Sequence, residues 1–97
     1  MESHPTEIDG AHVLAVAHIT QAVKSRGATL HRVNDEEVGP FAALALAQYE
    51  GDENVYLFYC DEQWNAITDI CCDSLEAAKG QAAFEYEGID ECWIVTE

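Results

Sequence analysis

Positive charge is what this 97-residue chain has least of: four Lys and Arg stand against nineteen Asp and Glu, a formal net charge of −15. The few cations are unevenly placed. Lys24, Arg26 and Arg32 offset Glu2, Glu7 and Asp9, and from Val33 onward Lys79 alone faces the other sixteen carboxylates. Such a chain repels nucleic acid and acidic membranes, and its field speeds encounter with basic proteins. The same carboxylates repel one another, so added salt or mild acid is expected to raise stability.

Other absences narrow the class further. The longest strictly apolar run, Phe41–Ala47, falls far short of the ~20 residues a membrane-spanning helix needs. The first residues, Met1 to Glu7, are acidic and polar, whereas a secretory signal opens on basic charge and a sustained apolar stretch. A cytoplasmic protein is expected. No phosphate-binding glycine loop is present. Of the three serines, Ser3 lies in the polar N-terminal segment, Ser25 in a basic turn and Ser74 at a helix start. None sits in a strand–turn–helix elbow. No catalytic residue, cofactor or metal is therefore assigned.

What the chain does have is a spread of core formers. Nearly half of it is hydrophobic, 48%, enough to argue for a folded domain despite the charge. Residues 1–10 read as a flexible polar tail and residues 11–97 as a single α+β domain. His12–Thr20 alternates as a strand through Val13, Ala15, Ala17 and Ile19, although Val13, Val16, Ala17, Thr20 and Val23 also fit a helical stripe. The strand is preferred, followed by a polar turn over Gln21–Gly27. Ala28–Asn34 reads as a short strand ending in the acidic turn Asn34-Asp35-Glu36-Glu37, and Gly39-Pro40 punctuates the chain. Phe41–Tyr49 suits a short helix by composition. Its alternation of Leu44, Leu46 and Gln48 with Ala43, Ala45 and Ala47 instead favours one arm of a hairpin across Gly51–Asn54.

Val55–Cys60 is the clearest strand. Val55, Leu57 and Tyr59 fall on one face and Tyr56, Phe58 and Cys60 on the other, as in a strand covered on both sides. Asp61–Asn65 makes a turn, and Ala66–Cys71 returns antiparallel. Asp73-Ser74-Leu75-Glu76 carries a carboxylate cap and an acid three residues later, starting a helix over Ser74–Glu87 that Gly88 stops. Leu75, Ala78, Ala82 and Tyr86 form its stripe, with Phe84 opposite. Cys92–Val95 closes the chain as a strand. The expected architecture is a small antiparallel sheet of about four to five strands with a C-terminal helix packed on one face.

The stretch Tyr56-Leu57-Phe58-Tyr59-Cys60-Asp61-Glu62-Gln63-Trp64-Asn65, the Thr68-Asp69 pair, and Ser74-Leu75-Glu76-Ala77-Ala78 through Phe84-Glu85-Tyr86 resemble a segment of small acidic bacterial proteins with no assigned activity. The resemblance covers about a third of the chain and rests on fold-forming residues. It implies a fold and carries over no functional residue. In that pattern a Trp-His pair often stands where this chain has Cys71-Cys72.

Three constellations invite chemistry. Cys60, Cys71, Cys72 and Cys92, with four histidines, suggest a thiol- or metal-binding protein. Zinc ligands, however, come in pairs two to four residues apart, and Cys71 and Cys72 are adjacent, on opposite faces of a strand. Reduced structural thiols are the expectation. His12, His18 and His31 meet on one sheet only if the segment around His12 is a strand. The loop Asp61-Glu62-Gln63-Trp64-Asn65 begins like a calcium loop but has Ala66 at the sixth position and Cys72 at the twelfth, where glycine and glutamate are needed. The third constellation is the acidic turns themselves. Asp52, Glu53, Asp61 and Glu62 are the candidate interaction acids, and Trp64, flanked by Asp61, Glu62 and Asn65, is either a lid on the sheet or an anchor for a basic, apolar patch. The leading reading is an acidic protein-interaction module that binds a basic partner, as an immunity-type inhibitor or nucleic-acid mimic does. The competing readings are charge that serves solvation alone, and the thiol or metal protein.

Overall fold

The computed structural model describes residues 4–21, 23–25 and 31–96, without the side chain of Arg32. The chain runs β1 (Glu7–Ile8), β2 (Ala11–His18), β3 (Lys24–Ser25), β4 (Arg32–Val33), β5 (Glu36–Glu37), β6 (Ala43–Gln48), β7 (Val55–Cys60), β8 (Ala66–Cys72), α1 (Leu75–Glu85), β9 (Tyr86–Glu87), a 3₁₀ turn over Ile89–Glu91, and β10 (Ile94–Val95). It is an α+β fold. One curled antiparallel sheet has the order β1-β2-β6-β7-β8, and β10 joins it on β2. The sheet thus has six strands. Of its two-residue members, β10 lies within the final strand expected at Cys92–Val95, whereas β1 is too short to show a period in the sequence.

The alternation on the two central strands sorts the core. Leu44, Leu46, Val55, Leu57 and Tyr59 share one buried cluster with Ala15, Ala17, Ala78, Ala82 and Ile89. Ala43, Ala45, Ala47, Phe58 and Cys60 form the other with Ile8, Val13 and Val16. The faces assigned to Val55–Cys60 from sequence are the faces observed, and Phe41–Tyr49 supplies a strand. At the turn between β6 and β7, Gly51 takes a positive φ of 79° that favours glycine.

Two bulges break the period. In the β2–β6 ladder Val13 faces Ala47 and Ala15 faces Leu46, so Leu14 is an extra residue. The carbonyls of Val13 and Leu14 are taken by the Thr96 hydroxyl at 2.8 Å and its N–H at 3.1 Å. Because of the insertion, Val13 and Val16 end on the same face, and a strand shows the three-residue spacing of a helix. The bulge also puts His12 and His18 on opposite faces, so the strand does not bring them together. Ile67 is the extra residue of the β7–β8 ladder, where Tyr59 faces Thr68 and Cys60 faces Ala66.

The N-terminal segment differs from the tail expected. Glu7 and Ile8 pair with His12 and Ala11 across a turn at Asp9-Gly10, and Ile8 is buried. The strand expected at Ala28–Asn34 is described only from residue 31, since 26–30 lie outside the described residues. Its end forms a hairpin with β5, through Asn34 and Asp35 at φ 53° and 66°. That is the doubly positive turn that Asn and Asp tolerate. Lys24 and Ser25, read as turn, pair instead with Glu87 and Tyr86.

The helix is shorter than its stripe suggested. Ser74, one residue after the expected Asp73, is the cap, and its hydroxyl accepts the Ala77 N–H at 3.1 Å. Tyr86 has already left the helix, and Leu75 is exposed. The buried positions are Ala78, Ala82 and Glu85. Phe84 is 58% exposed. Among the described residues no helix is long and apolar enough to cross a membrane.

Candidate functional site: a cleft at the Trp64 turn

The Asp61–Asn65 turn is built by one carboxylate. Asp61 Oδ1 accepts the N–H groups of Gln63 and Asn65, both at 2.9 Å, and Oδ2 accepts the Asn65 side-chain amide at 3.0 Å. The backbone closes over it, with Asp61 N–H on Asn65 O and Trp64 N–H on Asp61 O. These bonds, those of Asn65 first, hold the Asp61 carboxyl below its ordinary pKa. They also hold Trp64 at φ 65°, a left-handed conformation costly for a bulky residue. The strain fixes where the indole goes.

It goes against histidines. The Trp64 ring stands edge-on to His18, with centroids 5.4 Å apart, and to His4 at 6.0 Å. The Nε2 atoms of His4 and His18 are 3.4 Å apart. Below the indole lies the second core cluster. Beside it, His18, Ile19, Thr20, Ala42, Ala43, Asp61, Glu62 and Trp64 line a cleft of about 480 Å³. Three of the five interaction residues proposed from sequence therefore converge.

The other two do not. Asp52 and Glu53 lie in the β6–β7 turn, at the opposite end of β7, where they line a shallower depression with Tyr49, Glu50, Gly51 and Asn54. Asp52 Oδ1 accepts the Asn54 N–H at 2.9 Å, and so serves its own turn. The acidic surface is divided between the two ends of a strand.

A second assembly was not foreseen in the sequence. Glu85 is 4% exposed at the end of α1. As a carboxylate it only accepts, and three donors reach it: His31 Nε2 at 2.7 Å, Gln81 Nε2 at 3.0 Å and the Tyr59 hydroxyl. The His31 ring lies 4.2 Å from the Tyr59 ring and edge-on to Phe41 at 5.3 Å. Burial first, then the bond to Glu85, pushes the Tyr59 hydroxyl far above its ordinary range. A signal did exist. Glu85 follows Ala78 and Ala82 on the apolar side of the helix, and a tyrosine inside a buried strand needs a partner for its hydroxyl.

The cysteines stay apart. Cys60 faces Ala66 at one end of the β7–β8 ladder and Cys72 faces Val55 at the other. Cys60 is buried, and burial with Asp61 and Asp9 nearby pushes its thiol up to about 12. Cys71 is exposed, Cys72 packs toward the helix-side cluster, and Cys92 donates to Gly88 O at 3.5 Å. All four are free thiols. Among the described residues no three His, Cys, Asp or Glu side chains form a metal-holding group. No protein-family model, no curated protein and no solved structure matches this chain.

Proposed function

We propose that the protein is a small acidic cytoplasmic module that binds a basic protein, and neither nucleic acid nor membrane. In this reading α1 lies across one face of the sheet as scaffold, and the Trp64 end of the sheet is the interface. The observation that carries it is the convergence of Asp61, Glu62 and Trp64 on one cleft, which sets two carboxylates beside a half-buried aromatic. Interfaces draw their affinity from such aromatic anchors, and one-signed charge supplies encounter rate. The formal charge of −15 is the long-range part, and the cleft is the contact. The thiol or metal alternative has behind it four cysteines that the fold keeps apart, with Cys60 at one end of the β7–β8 ladder and Cys71 and Cys72 at the other.

The test is recovery of a basic protein from the native host at low salt, followed by kinetics with that partner. Association should slow as salt rises and the screening length falls below ~10 Å. Asp61→Asn with Glu62→Gln should act mainly on the on-rate, and Trp64→Ala mainly on the off-rate. If the charge serves solvation alone, no basic protein is recovered, and Glu62→Gln by itself raises stability slightly.

A further inference from the structure

Resting on that reading, we propose that the cleft beside Trp64 receives a single arginine side chain of the partner, and discriminates it from lysine. Three observations converge on a planar cation. First, the two carboxylates are in different states. Asp61 has both oxygens engaged by Gln63 and Asn65, so it contributes fixed negative charge but little new bonding. Glu62, exposed on the same rim, has no hydrogen-bond or ion-pair partner among the described residues. It is the available acceptor, and a carboxylate with both oxygens open takes a guanidinium through two parallel N–H bonds.

Second, the aromatic wall is prepared in advance. The left-handed backbone of Trp64 and the flanking rings of His4 and His18 hold the indole in place, so little side-chain freedom is lost when a ligand stacks on it. A guanidinium is flat and weakly hydrated and stacks on an indole while its edge bonds to carboxylate. An ammonium is compact, strongly hydrated and cannot do both. Third, the lining includes Ala42 and Ala43, small residues that leave room for the aliphatic stem of a long cation. The turn at the other end of the sheet has acids but no indole, and Asp52 is engaged by Asn54. Charge alone does not distinguish the two ends; the indole does.

The probe is Nα-acetyl-arginine amide, titrated into the ¹⁵N-labelled protein, with Nα-acetyl-lysine amide and Nα-acetyl-citrulline amide as matched controls. The two indole N–H signals report separately, since Trp64 lines the cleft while the Trp93 Nε1 is buried elsewhere in the helix-side layer. The expected result is a saturable shift of Trp64 and not of Trp93, with arginine about tenfold tighter than lysine and no response to citrulline. Glu62→Gln should weaken arginine about fivefold or more, while Asp52→Asn with Glu53→Gln leaves it unchanged. Equal binding of lysine and arginine, a citrulline response, or loss through the Asp52 pair would overturn the inference. It is separable from the wider reading. A basic partner that binds with an undisturbed Trp64 defeats the arginine cleft and leaves the acidic module. An arginine response with no basic partner in the host defeats the module and leaves the cleft.

Discussion

His18 and His31 each sit among aromatic rings with carboxylates close by, yet the two assemblies are finished to different degrees. Around His31 the polar groups converge on one carboxylate. Glu85 accepts from His31, Gln81 and Tyr59, and both Glu85 and Tyr59 are buried. Around His18 the rings pack on one another, but the neighbouring Glu62 is exposed and a cleft stays open. A satisfied, buried network fixes which segments meet, because leaving any member unpaired is costly. At the Trp64 turn the strained backbone sets the indole half-buried on the second core cluster, while Glu62 beside it stays exposed. The contrast sets a closed polar assembly against one that the proposed function uses as its interface.

The sharpest way to break the comparison is to remove the centre of the closed assembly. Glu85→Ala strands His31 and Tyr59 in a buried site and should cost about 3–5 kcal/mol by urea unfolding. Tyr59→Phe, which removes one donor and keeps the ring, should cost about 1–3 kcal/mol. The Trp64 indole N–H shift should be unmoved in Tyr59→Phe. A matching loss from Glu62→Gln would erase the distinction, because an exposed carboxylate with no partner has nothing to give up.

Thiol chemistry provides a second, smaller contrast. Cys71 should react with a labelling reagent at once, Cys72 and Cys92 more slowly, and Cys60 only on unfolding. The sign of the pH effect follows from burial. The Cys60 thiol is raised to about 12 when folded, against about 8.5 in an unfolded chain. Its contribution to stability is therefore intact below about pH 8.5 and is lost as pH climbs through the folded value of about 12. Urea titrations at rising pH should show that decline, with Cys60→Ala flattening it. Asp61 runs the other way. Its carboxyl is lowered when folded, so its contribution is present above about pH 3.9 and is lost as pH falls through the lower folded value. Asp61→Asn should blunt that acid limb slightly, since the group is exposed. Raising salt should stabilise the whole chain modestly, by screening the carboxylates against one another.

How much of this was legible in the sequence depended on locality. Val55–Cys60 declared itself because every residue is apolar and both faces are covered. The β6 alternation was readable because alanine and leucine separate cleanly by face. At β2 the bulge at Leu14 defeated the period, giving Val13 and Val16 the spacing of a helix. The helix end was placed at Glu87 instead of Glu85 because Tyr86 continued the apolar stripe in sequence while its backbone had turned extended to pair with Ser25. Glu85 and Tyr59 each signalled the need for a buried partner, but which partner was out of reach for a different reason. His31 and Glu85 are 54 residues apart, and no local pattern announces a contact made by folding. The cleft was half legible: Asp61, Glu62 and Trp64 are neighbours in sequence, but His4 and His18 come to them from a segment read as tail and from a strand read without its bulge.

The measurement that bears most directly on the account is a pull-down from the native host at low salt with four baits: the wild-type chain, Glu62→Gln with Trp64→Ala, Asp52→Asn with Glu53→Gln, and Tyr59→Phe. The cleft bait loses one negative charge and the far-turn bait two, so electrostatics alone cannot rank the cleft bait below the far-turn bait. The account predicts that one basic protein is recovered by the wild-type, far-turn and Tyr59→Phe baits, is released at high salt, and is missing from the cleft bait. Recovery of that protein by the cleft bait at wild-type level, or of no basic protein by any bait, would contradict it.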